Sequence, residues 1–224
     1  MRQAAEVVRE GQVCDAALLS ANGPDRLIVA SVDYSGRRFC NTVIIVKRER
    51  DRSTLLQTIS VWGMEDVDSS LVDLDLDGTV ELVTRSDISM YEGAKCVATV
   101  PVVYQCSAGM CVDSTAKFDD FLSKELDRFS AYLADPSLNE DSASCFSMSR
   151  DKLLRMRGTD PRAGFQTALE WLESSDPAVR AKGVYVLGDI NDAASRKRLQ
   201  DLAGDTDESI ARVARIQLMI RPAR

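Results

Sequence analysis

The hydrophobic pattern of the chain changes period once, near Lys117, and that change restricts the fold more than any other feature. Between about residues 24 and 115 the apolar positions come as short runs rich in β-branched residues. Runs at 27–32 and 42–46 flank Tyr34-Ser-Gly-Arg-Arg38, a turn signal, and further strands are expected over 55–62, 80–84, 96–104 and 111–113. Short strands at this spacing, with hairpin-like turns, predict antiparallel pairing. Beyond Lys117, Phe118, Phe121, Leu122, Leu126, Phe129 and Leu133 recur at helical spacing. Further helices are expected over 143–157, 165–172, 178–190, 193–203 and 210–220. The class is therefore α+β, with an antiparallel β domain over 1–117 and an α-helical domain over 118–224.

The β part accommodates seven or eight strands, or two four-stranded units. A closed propeller needs at least about four blades, so a sandwich, or a partial-propeller-like pair of sheets, is expected instead. Pro101 cannot donate to a ladder, which places its strand at an edge or a bulge.

The helical part contains a repeat. Asp176-Pro-Ala-Val-Arg, followed by Gly183 and Leu187, aligns at an offset of 31 with Asp207, Ile210, Ala214 and Leu218. Asp176-Pro177 is an N-cap with proline at the first helical position, and the small residues Gly183 and Ala214 let paired helices approach closely. The phrase resembles a short HEAT-like repeat over residues 161–220. That resemblance implies a protein-binding concave face, for which Arg180, Lys182, Arg196, Arg212 and Arg215 are candidates.

The densest chemistry lies at Asp73-Leu-Asp75-Leu-Asp77-Gly-Thr79-Val-Glu81, where carboxylates occupy positions 1, 3, 5 and 9 around a glycine at position 6. Calcium takes six to eight oxygen ligands, and alternate aspartates about a tight turn converge on one point. Position 12 is Thr84, not the bidentate glutamate an EF-hand requires, and the flanks read as strands. From Glu65 to Glu81 there are seven acids and no base, so the segment repels itself unless a cation neutralises it. The loop resembles the FG-GAP (integrin-like, VCBS) calcium loop. The resemblance implies calcium ligation by Asp73, Asp75, Asp77 and Glu81, with a backbone carbonyl near Thr79. Leu76 departs from the usual glycine at position 4, and Glu81 from the more frequent aspartate. A solvated acidic turn without metal is the alternative. Small periplasmic inhibitors of lysozyme-like cell-wall hydrolases have a similar loop, also with an apolar residue at position 4.

Other features exclude functions. The chain has no histidine, which removes Ser-His-Asp and Cys-His catalysis and histidine-ligated zinc. Ser107 has no histidine to activate it, and no P-loop or G-x-S-x-G occurs. Residues 1–150 hold 15 bases and 24 acids, a front half that repels nucleic acid. The chain contains no run of about 18 apolar residues, so no membrane span is expected. The first residues lack the apolar stretch of a signal peptide, so an exported chain would have had its signal removed.

The six cysteines, Cys14, Cys40, Cys96, Cys106, Cys111 and Cys145, show no C-x-x-C spacing. Cys106 and Cys111 flank a four-residue turn and suit a hairpin staple. Cys40 and Cys96 are candidates to join neighbouring strands, leaving Cys14 for Cys145. An even count favours an oxidising compartment, periplasmic or extracellular, with buried thiols in a cytoplasmic protein as the alternative. Trp62, Tyr91 and Tyr104 are candidate contact anchors. Together these features predict a non-catalytic, exported, calcium-stabilised protein that binds a protein partner. Inhibition of a secreted hydrolase is the special case. A cytosolic HEAT-type scaffold and a carboxylate-dependent glycoside hydrolase are the rivals.

Overall fold

The computed structural model describes residues 12–19, 26–33, 40–48, 52–64, 66–87, 98–107 and 110–221. The chain divides into two compact units, Met1–Asp87 with Val100–Phe121, and Ile88–Thr99 with Leu122–Arg224. Among the described residues, two four-stranded antiparallel sheets and six α-helices make it an α+β protein.

The first sheet is a meander of β1 (Gln12–Leu19), β2 (Arg26–Asp33), β3 (Thr42–Arg48) and β4 (Ser53–Ser60). Alternation along its strands sends Leu27, Val29, Val43, Ile45 and Ile59 to one core, shared with Leu82 and Cys111 of the second sheet. Ala30, Val32 and Ile44 form a separate buried cluster. Burial of both strand faces is why β2 and β3 read as unbroken apolar runs, each buried Val or Ile contributing about 1.5–3 kcal/mol.

Strand β1 falls ahead of the region where strands were expected. Its sequence QVCDAALL has little β-branched character, and pairing with β2, from Gln12↔Asp33 to Leu19↔Leu27, makes it a strand. That pairing also determines a disulfide. Val13 lies opposite Val32, which lies opposite Thr42, so the start of β1 and the entry to β3 share one end of the sheet. Cys40 therefore bonds Cys14, with Cα atoms 6.3 Å apart, and not Cys96. The pairing of Cys14 with Cys145 falls with it. Cys145 is itself disulfide-bonded, Cys96 lies outside the described residues, and no described cysteine is free.

The second sheet has the order β5 (Leu71–Val72), β6 (Glu81–Asp87), β7 (Thr99–Ser107), β8 (Met110–Asp113). Cys106 and Cys111 are directly opposite across β7 and β8 and form the expected hairpin staple. The strand holding Pro101 is interior rather than at an edge. Strand β8, however, pairs only Tyr104–Ser107, so Pro101 meets no β8 partner and its missing N–H costs no bond there. Gln57 of β4 accepts from Cys111 N at 2.7 Å and donates to Cys111 O at 2.9 Å, completing the outer edge of β8 with a side-chain amide.

The helices are α1 (Asp119–Leu133), α2 (Glu140–Met156), α3 (Phe165–Leu172), α4 (Pro177–Ile190), α5 (Ala193–Leu202) and α6 (Glu208–Ile220). The repeat at offset 31 has a local cause. Asp176 accepts from Ala178 N and Asp207 from Ser209 N, so both copies start their helices with the same side-chain cap. A Cβ on Gly183 would lie 2.7 Å from the Ala168 carbonyl, which lets α4 press directly on α3. Ala168, Val184, Leu187, Leu199, Ile210 and Ala214 fill the core of this unit.

Candidate metal centre

The nine-residue acidic run closes the β5–β6 hairpin, with Leu71 opposite Leu82 and Val72 opposite Glu81. Leu82 is fully buried and anchors the sheet side of the loop. Aspartate side chains then fold the intervening backbone. Asp73 accepts from Asp77 N at 3.2 Å and from Gly78 N at 3.0 Å, Asp75 from Asp77 N at 3.4 Å, and Asp77 from Thr79 N at 2.7 Å. Such local bonds are the mechanism by which short acidic side chains make turns. The turn requires left-handed backbone at two positions, Gly78 with φ 85° and Leu76 with φ 59°. Glycine adopts that region freely, whereas leucine is strained there by about 1–2 kcal/mol.

The result gathers Asp73, Asp75 and Glu81, with a carboxylate oxygen from each within 4.8 Å of the others. Asp75 is exposed and Glu81 is 0% exposed, so the group has a buried floor and an open top. Glu81 Oε2 accepts from Leu74 N at 3.0 Å, while Oε1 is buried with no hydrogen-bond partner. An orphaned buried acceptor costs about 1–3 kcal/mol, and more when charged. Three converging carboxylates and one starved oxygen match a hard cation that takes oxygen ligands. The donor set contains no nitrogen or sulfur that would favour a softer metal.

The expected ligands thus separate. Asp73, Asp75 and Glu81 come together, whereas the Asp77 carboxylate is turned to the Thr79 amide and is outside that trio. Two other acids of the run do structural work elsewhere, since Asp66 accepts from Ser69 N and Asp68 opens the 3₁₀ turn Asp68–Ser70. Glu65 lies outside the described residues.

The candidate contact residues fare differently. Tyr104 packs against the β core, where burial and the Asp113 charge push its phenol above the usual value. The amide of Trp62 donates to Arg85 O, and Tyr91 lies outside the described residues. The cations expected to line a concave face are mostly engaged. Arg180 bridges Asp205 and Asp207, Lys182 is buried and donates to Ser144 Oγ, Arg196 donates to Asn191 and Arg221 O, and Arg215 pairs with Glu208. Arg215 stays half exposed within its pair, and Arg212 is exposed.

One ionic group was missed altogether, a carboxylate at Asp189 with three cations from distant positions. No local motif announces it, because its members lie between 32 and 37 residues from Asp189. Among the described residues no helix is long and apolar enough to cross a membrane. Comparison of the chain with protein-family models, curated sequences and solved structures returned no match.

Proposed function

We propose that the chain is a non-catalytic, exported binding protein whose β unit is stapled by calcium and disulfides and which acts through contact with a protein partner. The observation that carries this reading is Glu81, a fully buried carboxylate with one oxygen unpartnered and two aspartates converging on it. Calcium is the hard divalent cation best suited to a flexible all-oxygen set. The bonded cysteines support an oxidising compartment, periplasmic or extracellular. Leu76, 87% exposed at the tip of the acidic loop, supports partner contact, because it gains nothing from its own chain. The HEAT-like character of residues 161–220 supports the same role, with α3–α4 and α5–α6 as the repeating pairs. Inhibition of a secreted cell-wall hydrolase is the specific form we favour.

Calcium, magnesium and EDTA titrations followed by thermal unfolding test the staple. Calcium raises the melting temperature of the wild type and leaves Glu81→Gln unmoved; equal melting curves in millimolar calcium and in EDTA reject the staple. Intact mass with and without reductant tests the compartment, and free thiols in freshly prepared protein count against export. A panel of muramidases assayed with and without the protein tests inhibition, which Leu76→Ser weakens if the loop makes the contact.

A further inference from the structure

The missed cluster lies wholly in the helical unit and has the opposite sign. Asp189, near the end of α4, has a side chain 2% exposed. Its Oδ1 accepts from Lys152 Nζ at 2.5 Å and Arg221 Nη1 at 2.6 Å, and its Oδ2 from Arg155 Nη2 at 2.7 Å and Nε at 3.2 Å. Three cations face one carboxylate. The adjacent acid, Asp151, is paired with Arg150 and does not answer the surplus.

Arg155 is sealed, with Nη1 spent on the Ala163 carbonyl. The other two are not. The Lys152 and Arg221 side chains keep 26% and 35% exposure, and their heads meet at the same oxygen of Asp189. Among the described residues Lys152 Nζ donates to Asp189 alone, and Arg221 donates only through Nη1, to Asp189 and to Gly188 O at 3.0 Å. Two N–H groups of the ammonium and the Nη2 and Nε of the guanidinium therefore have no acceptor among the described residues. One cation would neutralise Asp189, so the group is left with two positive charges in a partly dry setting. Burial lowers the Lys152 pKa, the Asp189 charge opposes this, and Arg155 and Arg221 add to the lowering.

We propose that Lys152 and Arg221 form a binding site for a doubly charged tetrahedral oxyanion, a phosphoryl or sulfate group. A dianion matches the surplus of two, which a carboxylate would leave half met. An ammonium point charge beside a planar guanidinium fork supplies donors for two or three of its oxygens. The site is independent of the acidic loop and of its metal.

The test is titration of the full chain, in EDTA and at constant ionic strength, with inorganic phosphate, sulfate and O-phosphoserine, chloride being the reference. Titration calorimetry reads binding in every variant, and the Lys152 ε-CH2 signal of ¹³C-lysine-labelled protein reports it wherever Lys152 is kept. Saturable shifts with the oxyanions and none with chloride are expected, with Lys152→Gln and Arg221→Gln each weakening binding by about tenfold or more. Lys117→Gln, in the β unit, leaves binding unchanged. A stronger response to O-phosphoserine than to phosphate assigns the site to a phosphorylated molecule, and the reverse order to the free ion. A response of the same size in chloride, or binding undiminished in both variants, overturns the proposal. Should a variant fail to fold, the wild-type Lys152 signal decides alone, since a non-saturating shift refutes the site.

Discussion

Two clusters of charge stand in the molecule, one in each unit, and they are built in opposite ways. The loop at 73–81 brings three carboxylates together. The Asp189 cluster sets three cations against one carboxylate. In the loop, every member comes from nine consecutive residues, and backbone amides hold the geometry. In the helical unit, α2, α4 and the residue after α6 each contribute, and only the packing of those elements brings them together. The difference is one of ownership. The loop's shape belongs to its local turn, whereas the helical cluster owns its counter-charges and bolts three segments to one another.

Perturbing the two clusters should therefore have unequal effects. The largest belongs to Asp189→Asn, which strands Lys152, Arg155 and Arg221 around a neutral amide. Breaking such a buried pair costs about 3–5 kcal/mol, read as a lowered denaturant midpoint. A loss below about 1 kcal/mol would show the cluster to be solvated and the contrast with the loop to be false.

Next comes the ion. At about a hundredfold excess over its dissociation constant, a ligand of the native state alone stabilises by about 2.7 kcal/mol. Calcium should give a gain of that order in the wild type and none in Asp73→Ala or Glu81→Gln. The Asp189→Asn protein, though weakened, should keep its full calcium response, because its defect lies in the other unit. Loss of the response there would join the two clusters and break the comparison.

Acid distinguishes them further. The cations beside Asp189 and the bonds they donate outweigh its burial and hold its carboxyl well below the usual carboxylate range. Its folded-state value is depressed, so its stabilisation is complete above the ordinary value near 3.9 and is lost only as pH falls through the folded value. Proton uptake on unfolding, followed between about pH 5 and pH 2, should shrink in Asp189→Asn by the share of one carboxylate.

The smallest effect sharpens the loop alone. Leu76→Gly relieves a left-handed leucine at the cost of a more flexible unfolded chain, a net gain of about 0.5–1 kcal/mol. A measured loss instead would mean that Leu76 makes contacts its 87% exposure does not suggest.

Much of this contrast was legible in advance, and unevenly. The acidic loop could be read residue by residue because a D-x-D-x-D-G run determines its own turn. Even so, spacing did not single out Asp73, Asp75 and Glu81 as the trio that converges, since which oxygen turns to the Thr79 amide is a matter of torsion angles. The cap at Asp176 was readable for the same local reason, and the structure adds its counterpart at Asp207. Strand β1 was not, because an alanine-containing segment becomes a strand only when β2 pairs with it, and the Cys14–Cys40 bond depends on that pairing. The ion pairs of Arg180 and Arg215 were not readable, because periodicity locates a residue on a helix without saying which carboxylate meets it.

By itself the sequence determined the things that nearest neighbours decide: the strand and helix periods, the hairpin staple, the Asp176 cap and the nine-residue turn. Only tertiary structure decided which cysteine Cys40 met, which loop oxygen was left buried and unpartnered, and that Lys152, Arg155 and Arg221 would close on Asp189. Hydrogen bonds across a few residues are encoded in local spacing, while charges more than thirty positions apart meet only because hydrophobic burial brings their backbones together.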